Sequence, residues 1–431
     1  MKKNNSHGAS ITKETVTPQR AVKVCMHIRG IARLDPRVRR AASALNEAGC
    51  LVFVVDIESD RTRPLEEDIN GIHLKHIRKP DWLNTKRFPW RLIRSVQKII
   101  VATLMLIRTP ADIYHAHNDN ALPACYIAAK LRRKPLVYEA HEMPLYPLED
   151  TSHSWASMLV TQLFIGMVRR CAGVITVSSP IIEELYNRYQ ITGISLIRNI
   201  PPYQVVPRSN RLRQYLGLGP EVRIALYQGN LQPGRGLAGL VRAAVFLELN
   251  TVIVMMGKGV GSTPAELEAL AVREGVTDRI KIIPPVPHEE LLDWTASADI
   301  GLIASAPDYS LNIRMLLPNK LFEYLMAGLP VLSSPLEATA KVIKTYDVGR
   351  VLSSLEPADI GAEINAMLTD RTKLERWRHN ALESARHEFC WEKESLQLVH
   401  LYHDILTKQH ARRSREKSLP NQGSALSRRR T

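Results

Sequence analysis

The sequence predicts an α/β protein built from two doubly wound parallel sheets, and three observations carry that expectation. The chain has 431 residues, too many for one ordinary core. Short apolar runs of strand character alternate with amphipathic helical stretches in two separate series. The composition, 45% hydrophobic and 23% charged, supplies apolar material for two cores and is far from that of a disordered chain.

In the first series, AVKVCMHI from Ala21 reads as a strand, Gly30 as a close turn, DPRVRRAASALNEAG as a helix and LVFVVDI as a second strand. Pro36 suits a first helical turn, where its missing N–H is not needed, and Gly49 suits the left-handed position that ends a helix. The result is one βαβ unit. Further strands are expected at Asp112 to His115, Pro135 to Glu139 and Gly173 to Ser178, separated by the helical stretches LPACYIAAKLRRK and TSHSWASMLVTQLFIGMVRR. Strict alternation of this kind implies parallel sheets covered on both faces.

The rhythm breaks between Pro201 and Gly217, where PPYQVVPRSNRLRQYLG reads as a linker. A second series follows: RIALYQG, TVIVMMG, IKII, DIGLIA and PVLSS as strands, with helical stretches between them. FCWEKESLQLVHLYHDIL is a long amphipathic helix near the end. The expected organisation is a disordered leader over 1–20, a Rossmann-like domain over 21–200, a linker over 201–217, a second Rossmann-like domain over 218–385, a helix over 386–407 and a basic disordered tail over 408–431.

Composition also excludes function classes. No apolar run approaches the ~20 residues that cross a bilayer as a helix. The polar N-terminus lacks the apolar middle of a secretion signal. Five scattered cysteines without a CxxC pair point to a reducing cytoplasm and to no metal site. The net charge is +15, but it sits in residues 1–20, 75–108 and 408–431, leaving the remainder slightly acidic. A nucleic-acid-binding domain spreads basic side chains over a folded face, so no nucleic-acid partner is expected.

Parallel sheets bind ligands beyond the carboxyl ends of their strands, so the loops there are the places to search. In YQGNLQPGRGL, Gly229, Gly234 and Gly236 allow close backbone approach to a phosphate, and Arg235 offers a fixed cationic fork. In LPNKLFEYLMAGLPVL, Pro318 begins a helix whose free amides near Asn319 and Lys320 favour an anion. Leu317 lies beside them. Lys320 and Glu323, three apart, share one helix face, and a carboxylate one turn inside can accept from two sugar hydroxyls.

These two motifs, about 90 residues apart, resemble the donor-binding half of family 4 glycosyltransferases, and the similarity extends over roughly Ala21 to Leu406. The resemblance implies a GT-B fold, in which the two domains face each other across a cleft. It implies that Glu323, the second glutamate of an E-x7-E motif, holds the donor ribose and that Arg235 neutralises the diphosphate. The loop Pro284, Pro285 and Val286 is then expected at the base, and the Phe389–Trp391 element is expected to begin a helix that crosses back to the first domain. Two positions depart from the pattern: Met315 stands where the first glutamate belongs, and Asn230 where an arginine is usual. Asp308, Ser310, Asn312 and Lys320 are candidates to replace the lost carboxylate.

In the first domain, EAHEMPLYP places His141 and Glu142 at a strand end, and the resemblance puts such a histidine over the donor sugar. DIYHAHNDNALPA offers His115, His117 and Asn118 at another strand end. His-x-His can bind zinc, but no acidic partner is suitably spaced, so an acceptor-side or capping role is expected of His117 and Asn118. Gly30 is preferred over Arg37 as a donor-side residue in the first loop. The segment 75–108 combines nine basic residues with Trp82, Phe88 and Trp90, which reads as an anchor on an anionic membrane surface.

The implied function is a cytoplasmic, metal-independent, retaining transferase, peripheral at the membrane, that moves a sugar from a UDP- or GDP-linked donor to a glycan or lipid-linked acceptor. The rivals are a nucleotide-sugar epimerase and a catalytically weakened binding or scaffold protein.

Overall fold

The computed structural model describes residues 21–78, 90–144 and 155–418. Two sheets organise them. The first has eight strands: β1 (Lys23–Ile28), β2 (Leu51–Glu58), β3 (Glu66–Ile69), β4 (Ile72–Arg78), β5 (Ile113–His117), β6 (Leu136–Ala140), β7 (Gly173–Thr176) and β8 (Ile194–Leu196). Their order is β3-β4-β2-β1-β5-β6-β7-β8, all parallel except the β3 edge, which runs antiparallel to β4. The second sheet has β9 (Arg223–Gln228), β10 (Thr251–Met256), β11 (Ile280–Ile283), β12 (Ile300–Ile303), β13 (Val331–Ser333) and β14 (Gly349–Val351), all parallel, in the order β11-β10-β9-β12-β13-β14. Both sheets reverse their strand order beside their first strand, the arrangement that leaves a crevice at the strand ends.

Central strands are buried throughout: every residue of β5, β6, β7, β10 and β12 is buried. Helices on both faces explain this, since a strand covered above and below has no solvent side. Asp35 caps the helix Pro36–Glu47 by accepting from the backbone N–H groups of Arg37 and Val38.

Several elements differ from expectation. The β3–β4 hairpin lacks a clean apolar alternation, and its strand order could not be read locally. Within the predicted linker, Arg211–Leu216 is a helix whose Leu212 joins the second core, while the Arg213 guanidinium pairs with Asp299 at 2.6 Å. The expected disordered tail is too long, because the last helix runs from Trp391 to Ser418. Its Leu398, Tyr402 and Ile405 pack against Val24, Met26 and Ile175 of the first sheet, so the chain does return to its first half. Arg198 ties that return with ion pairs to Glu388 (2.8 Å) and the buried Glu394 (2.7 Å).

The aromatic and basic segment is only partly visible. Lys75 and Arg78 lie on β4, the helix Trp90–Arg108 carries the apolar end, and Trp82 and Phe88 lie outside the described residues, as do the leader over 1–20 and residues 419–431.

Candidate functional site

The carboxyl ends of the two sheets face one cleft of about 700 Å³. Arg37, His141, Glu142 and Asn199 line it from the first half, and Gly229, Asn230, Arg235, Lys320 and Glu323 from the second. Arg235 and the start of the helix Asn319–Met326 thus share one wall, the juxtaposition on which the phosphate-site reading depends.

Gly229 follows β9 with φ +123°, and a Cβ there would lie 3.3 Å from Lys320 Nζ, so a side chain would crowd the ammonium. Lys320 is half-buried, its Nζ 3.5 Å from the Tyr227 ring centroid. Burial, followed by the nearby Arg235 charge, holds its pKa well below the usual lysine range, and Glu323 opposes this. Two cations forced together without a full counter-charge form a receptor for a polyanion. With its amide oxygen toward the guanidinium, Gln232 accepts from Arg235 Nε (3.3 Å) and Nη2 (3.2 Å) and orients it.

Pro318 is the N-cap of that helix, so the first-turn N–H groups at Asn319 and Lys320 have no partner within the helix. Asn319 Oδ1 accepts from Asn199 Nδ2 at 3.1 Å, a link between the halves. One turn on, the Glu323 carboxylate is half-buried and accepts from Gln228 Nε2, whose Oε1 accepts from Thr295 Oγ1 at 2.7 Å. Burial raises the Glu323 pKa. Gln228 is a site residue that sequence reasoning missed. The available signal was its place at the end of a strand, immediately before a glycine turn. His288, which lines the cleft beside Pro285 and Val286, was missed as well.

Other expected residues stand elsewhere. Pro284 is not among the cleft-lining residues, unlike its two successors, and Leu317 lines the cleft as expected. Gly234 and Gly236 shape the loop from behind. A Cβ on Gly236, at φ +73°, would sit 1.9 Å from the Ala304 carbonyl oxygen, and one on Gly234 would meet the Tyr309 ring. Gly30 does not line the cleft and its carbonyl accepts from Ile57 N–H, whereas Arg37, ranked below it, does line the cleft.

Met315 is buried in the core of the first half, with Leu311 and Leu316 against the same cluster. The position of the missing carboxylate therefore serves to join the halves. Asn312 does likewise, accepting from Met143 N–H (2.9 Å) and donating to Glu142 Oε2 (3.1 Å). Ser310 caps its short helix by accepting from Ile313 N–H at 3.2 Å.

The expectation that His115 and His117 lack an acidic neighbour is corrected. Parallel pairing of β5 with β6 sets His117 opposite Glu139, whose Oε2 is 3.0 Å from His117 Nδ1 and 3.2 Å from His115 Nε2. Sequence spacing could not show this, because the contact crosses a helix. His117 is fully buried and so makes no direct acceptor contact. Asn118, at φ +70°, turns the chain: its N–H donates to the Glu139 carbonyl and its own carbonyl accepts from Ala121. Ligand atoms of His115, His117 and Glu139 lie within 4.8 Å of one another. The two imidazoles stack at 4.1 Å with planes 21° apart, each with a ring nitrogen toward Glu139 Oε2.

All five cysteines are free, and among the described residues no helix is long and apolar enough to cross a membrane.

Comparison with known proteins agrees with this geometry. Residues 36–200 match the family described as Glycosyltransferase Family 4, and residues 209–384 match Glycosyl transferases group 1. A D-inositol 3-phosphate glycosyltransferase of Thermobispora bispora is 22% identical over 390 residues, 86% of this chain and 89% of that protein. One of Streptomyces bingchenggensis is 24% identical, over 68% and 67% of the two chains. Among solved structures, sucrose-phosphate synthase from Thermosynechococcus elongatus superposes with a TM-score of 0.72 at 16% identity, covering 90% of this chain and all of that one. Anabaena HepE in complex with UDP and glucose does so at 0.67 and 16%, covering 89% and all.

Proposed function

Because the chain belongs to the group 1 glycosyltransferases with the GT-B fold, we propose that it is a retaining hexosyltransferase that uses a UDP- or GDP-linked sugar and a glycan or lipid-linked acceptor in cell-surface polysaccharide or glycolipid synthesis. The observation that carries this reading is the convergence of Arg235, Lys320 and unpartnered helix amides on one wall, with Glu323 one turn deeper.

The donor diphosphate lies against Arg235 and Lys320, and its ribose hydroxyls donate to Glu323. Pro285 and Val286 flank the base. As the anomeric C–O bond breaks, negative charge grows on the leaving phosphate, where the two cations and the amides already point. Such pre-placed charge contributes about 3 kcal/mol per group, roughly 10²-fold in rate. The acceptor hydroxyl attacks from the face the diphosphate leaves, and its proton passes to a phosphate oxygen, so no protein nucleophile is used. His141 and Glu142 reach the sugar and acceptor from the opposite wall. No metal is required in this scheme, since side chains supply the positive charge.

Support for membrane association comes from three neighbouring helices of the first half, Trp90–Arg108, Leu122–Arg132 and Trp155–Val168. They expose Ile100, Leu104, Leu131, Trp155, Met158 and Leu163, an apolar face with Lys98, Lys130 and Arg132 on the same helices. Such a face suits the interfacial zone of an anionic bilayer.

Thermal-shift measurements with UDP, GDP and their sugars test the donor assignment. A donor at 100 times its Kd stabilises the fold by about 2.7 kcal/mol. Glu323→Ala should abolish the shift, and an unchanged shift would overturn the ribose assignment. A sugar nucleotide consumed to a new isomer without acceptor would favour the epimerase.

A further inference from the structure

Beneath the cleft lies a cluster that the scheme above leaves unused. Glu139 precedes His141 by two positions at the end of β6, so the two side chains share a sheet face. His115 and His117 share a face of the adjoining β5 in the same way. The cross-strand register then gathers three imidazoles around one carboxylate: Oε2 faces His115 Nε2 and His117 Nδ1, and Oε1 lies 3.2 Å from His141 Nε2. All four side chains are buried.

The surroundings restrict the proton positions. The His141 and His117 charges hold the Glu139 carboxyl well below the usual carboxylate range, against its burial, so it is an acceptor only. Its oxygens face three ring nitrogens at 3.0 to 3.2 Å. Burial lowers the His115 pKa to about 4, so that ring is neutral, donates through Nε2 and accepts at Nδ1. Tyr402, on the returning helix, lies 2.8 Å from that Nδ1 and is its donor. Arg40 and Arg37 approach from the helix Pro36–Glu47, and His27 approaches from β1, donating Nδ1–H to the Val55 carbonyl at 2.7 Å. Positive and polar groups thus surround Glu139 on several sides.

We propose that Glu139 is the positioning residue of His141: its Oε1, 3.2 Å from Nε2, favours a proton on that nitrogen and so turns Nδ1 to the cleft, toward a hydroxyl of the donor sugar. This rests on the reading above that His141 meets the sugar. The carboxylate acts through the imidazole and touches no substrate. Tyr402, through His115, anchors the same carboxylate to the C-terminal helix, so the helix that closes the chain also secures the sugar-facing wall.

The experiment combines nitrogen-15 NMR of the imidazoles with kinetics of Glu139→Gln and His141→Ala. In the unaltered protein His141 should show the Nε2–H tautomer; the Nδ1–H tautomer overturns the proposal without any variant. Glu139→Gln should leave UDP and GDP affinity within about 2-fold while kcat falls by roughly 10- to 100-fold, with mixed His141 tautomers. Unchanged kcat and tautomer in Glu139→Gln, with His141→Ala inactive, would overturn the positioning role alone. Full activity of His141→Ala would overturn the sugar-facing reading of His141 instead. Stoichiometric zinc that survives purification and leaves with chelator would replace the hydrogen-bonded cluster with a coordination site and end the proposal.

Discussion

At the scale of single residues, the charge state of the phosphate wall gives the sharpest consequence. Lys320 is pushed toward neutrality by burial and by Arg235, so a bound diphosphate restores its charge and draws a proton from solution. Binding of UDP or GDP in alkaline buffer should show net proton uptake, and calorimetry in buffers of different ionisation enthalpy measures it. Glu323, raised by burial, acts with the opposite sign, releasing a proton when hydroxyls favour its ionised form, but only at acidic pH. Lys320→Met should therefore remove the uptake seen in alkaline buffer. A second consequence concerns Met315. Restoring a glutamate there would bury an unpaired carboxylate in the first core, so Met315→Glu should lower stability by about 2 kcal/mol or more without raising kcat. Chemical denaturation alongside activity assays checks both.

At the scale of elements, the turn after β9 is the part least tolerant of change. Gly229 faces the ammonium, whereas Gly236 backs onto the Ala304 carbonyl in a left-handed conformation. Gly236→Ala must displace backbone, so a loss of about 2 kcal/mol or more is expected, together with weakened nucleotide binding. An unchanged Tm would show that the loop can move away without penalty. The short helix Leu311–Met315 links the halves through Met315 packing and the Asn312 contacts to Glu142 and Met143. It occupies the stretch where Met315 replaces the first glutamate of the E-x7-E pattern, and here it serves the interface between the two halves.

At the scale of the whole molecule, the chain crosses between the halves twice, near Pro201 and again at Phe389, and Arg198 grips the second crossing through Glu388, Glu394 and the Phe389 ring face at 5.0 Å. The apolar side chains that the three first-half helices expose lie at the protein surface. If it meets a bilayer, the protein should sediment with vesicles containing anionic lipid at low salt and be released as salt rises. Trp155→Ser combined with Leu163→Ser should weaken sedimentation about tenfold while leaving UDP affinity unchanged. Equal recovery in the supernatant with and without vesicles would rule out the anchor.

Most of the strand sequence was legible in the chain because fully buried strands are dense in Val, Ile and Leu, as in TVIVMM, and because Pro and Gly mark helix ends locally. The phosphate wall was legible for the same reason: glycine turns and helix starts are local features. The β3–β4 hairpin, the full length of the last helix, and the roles of Gln228 and Glu139 were not, since these depend on partners distant in sequence. By itself, then, the sequence determined two parallel α/β halves and the residue types that meet a diphosphate, which depend on backbone geometry within a few residues. Only the tertiary structure decided that Met315 lies in the opposite core, that Arg37 and not Gly30 reaches the cleft, and that Glu139 gathers three histidines, because strand register and domain packing unite residues that the chain keeps far apart.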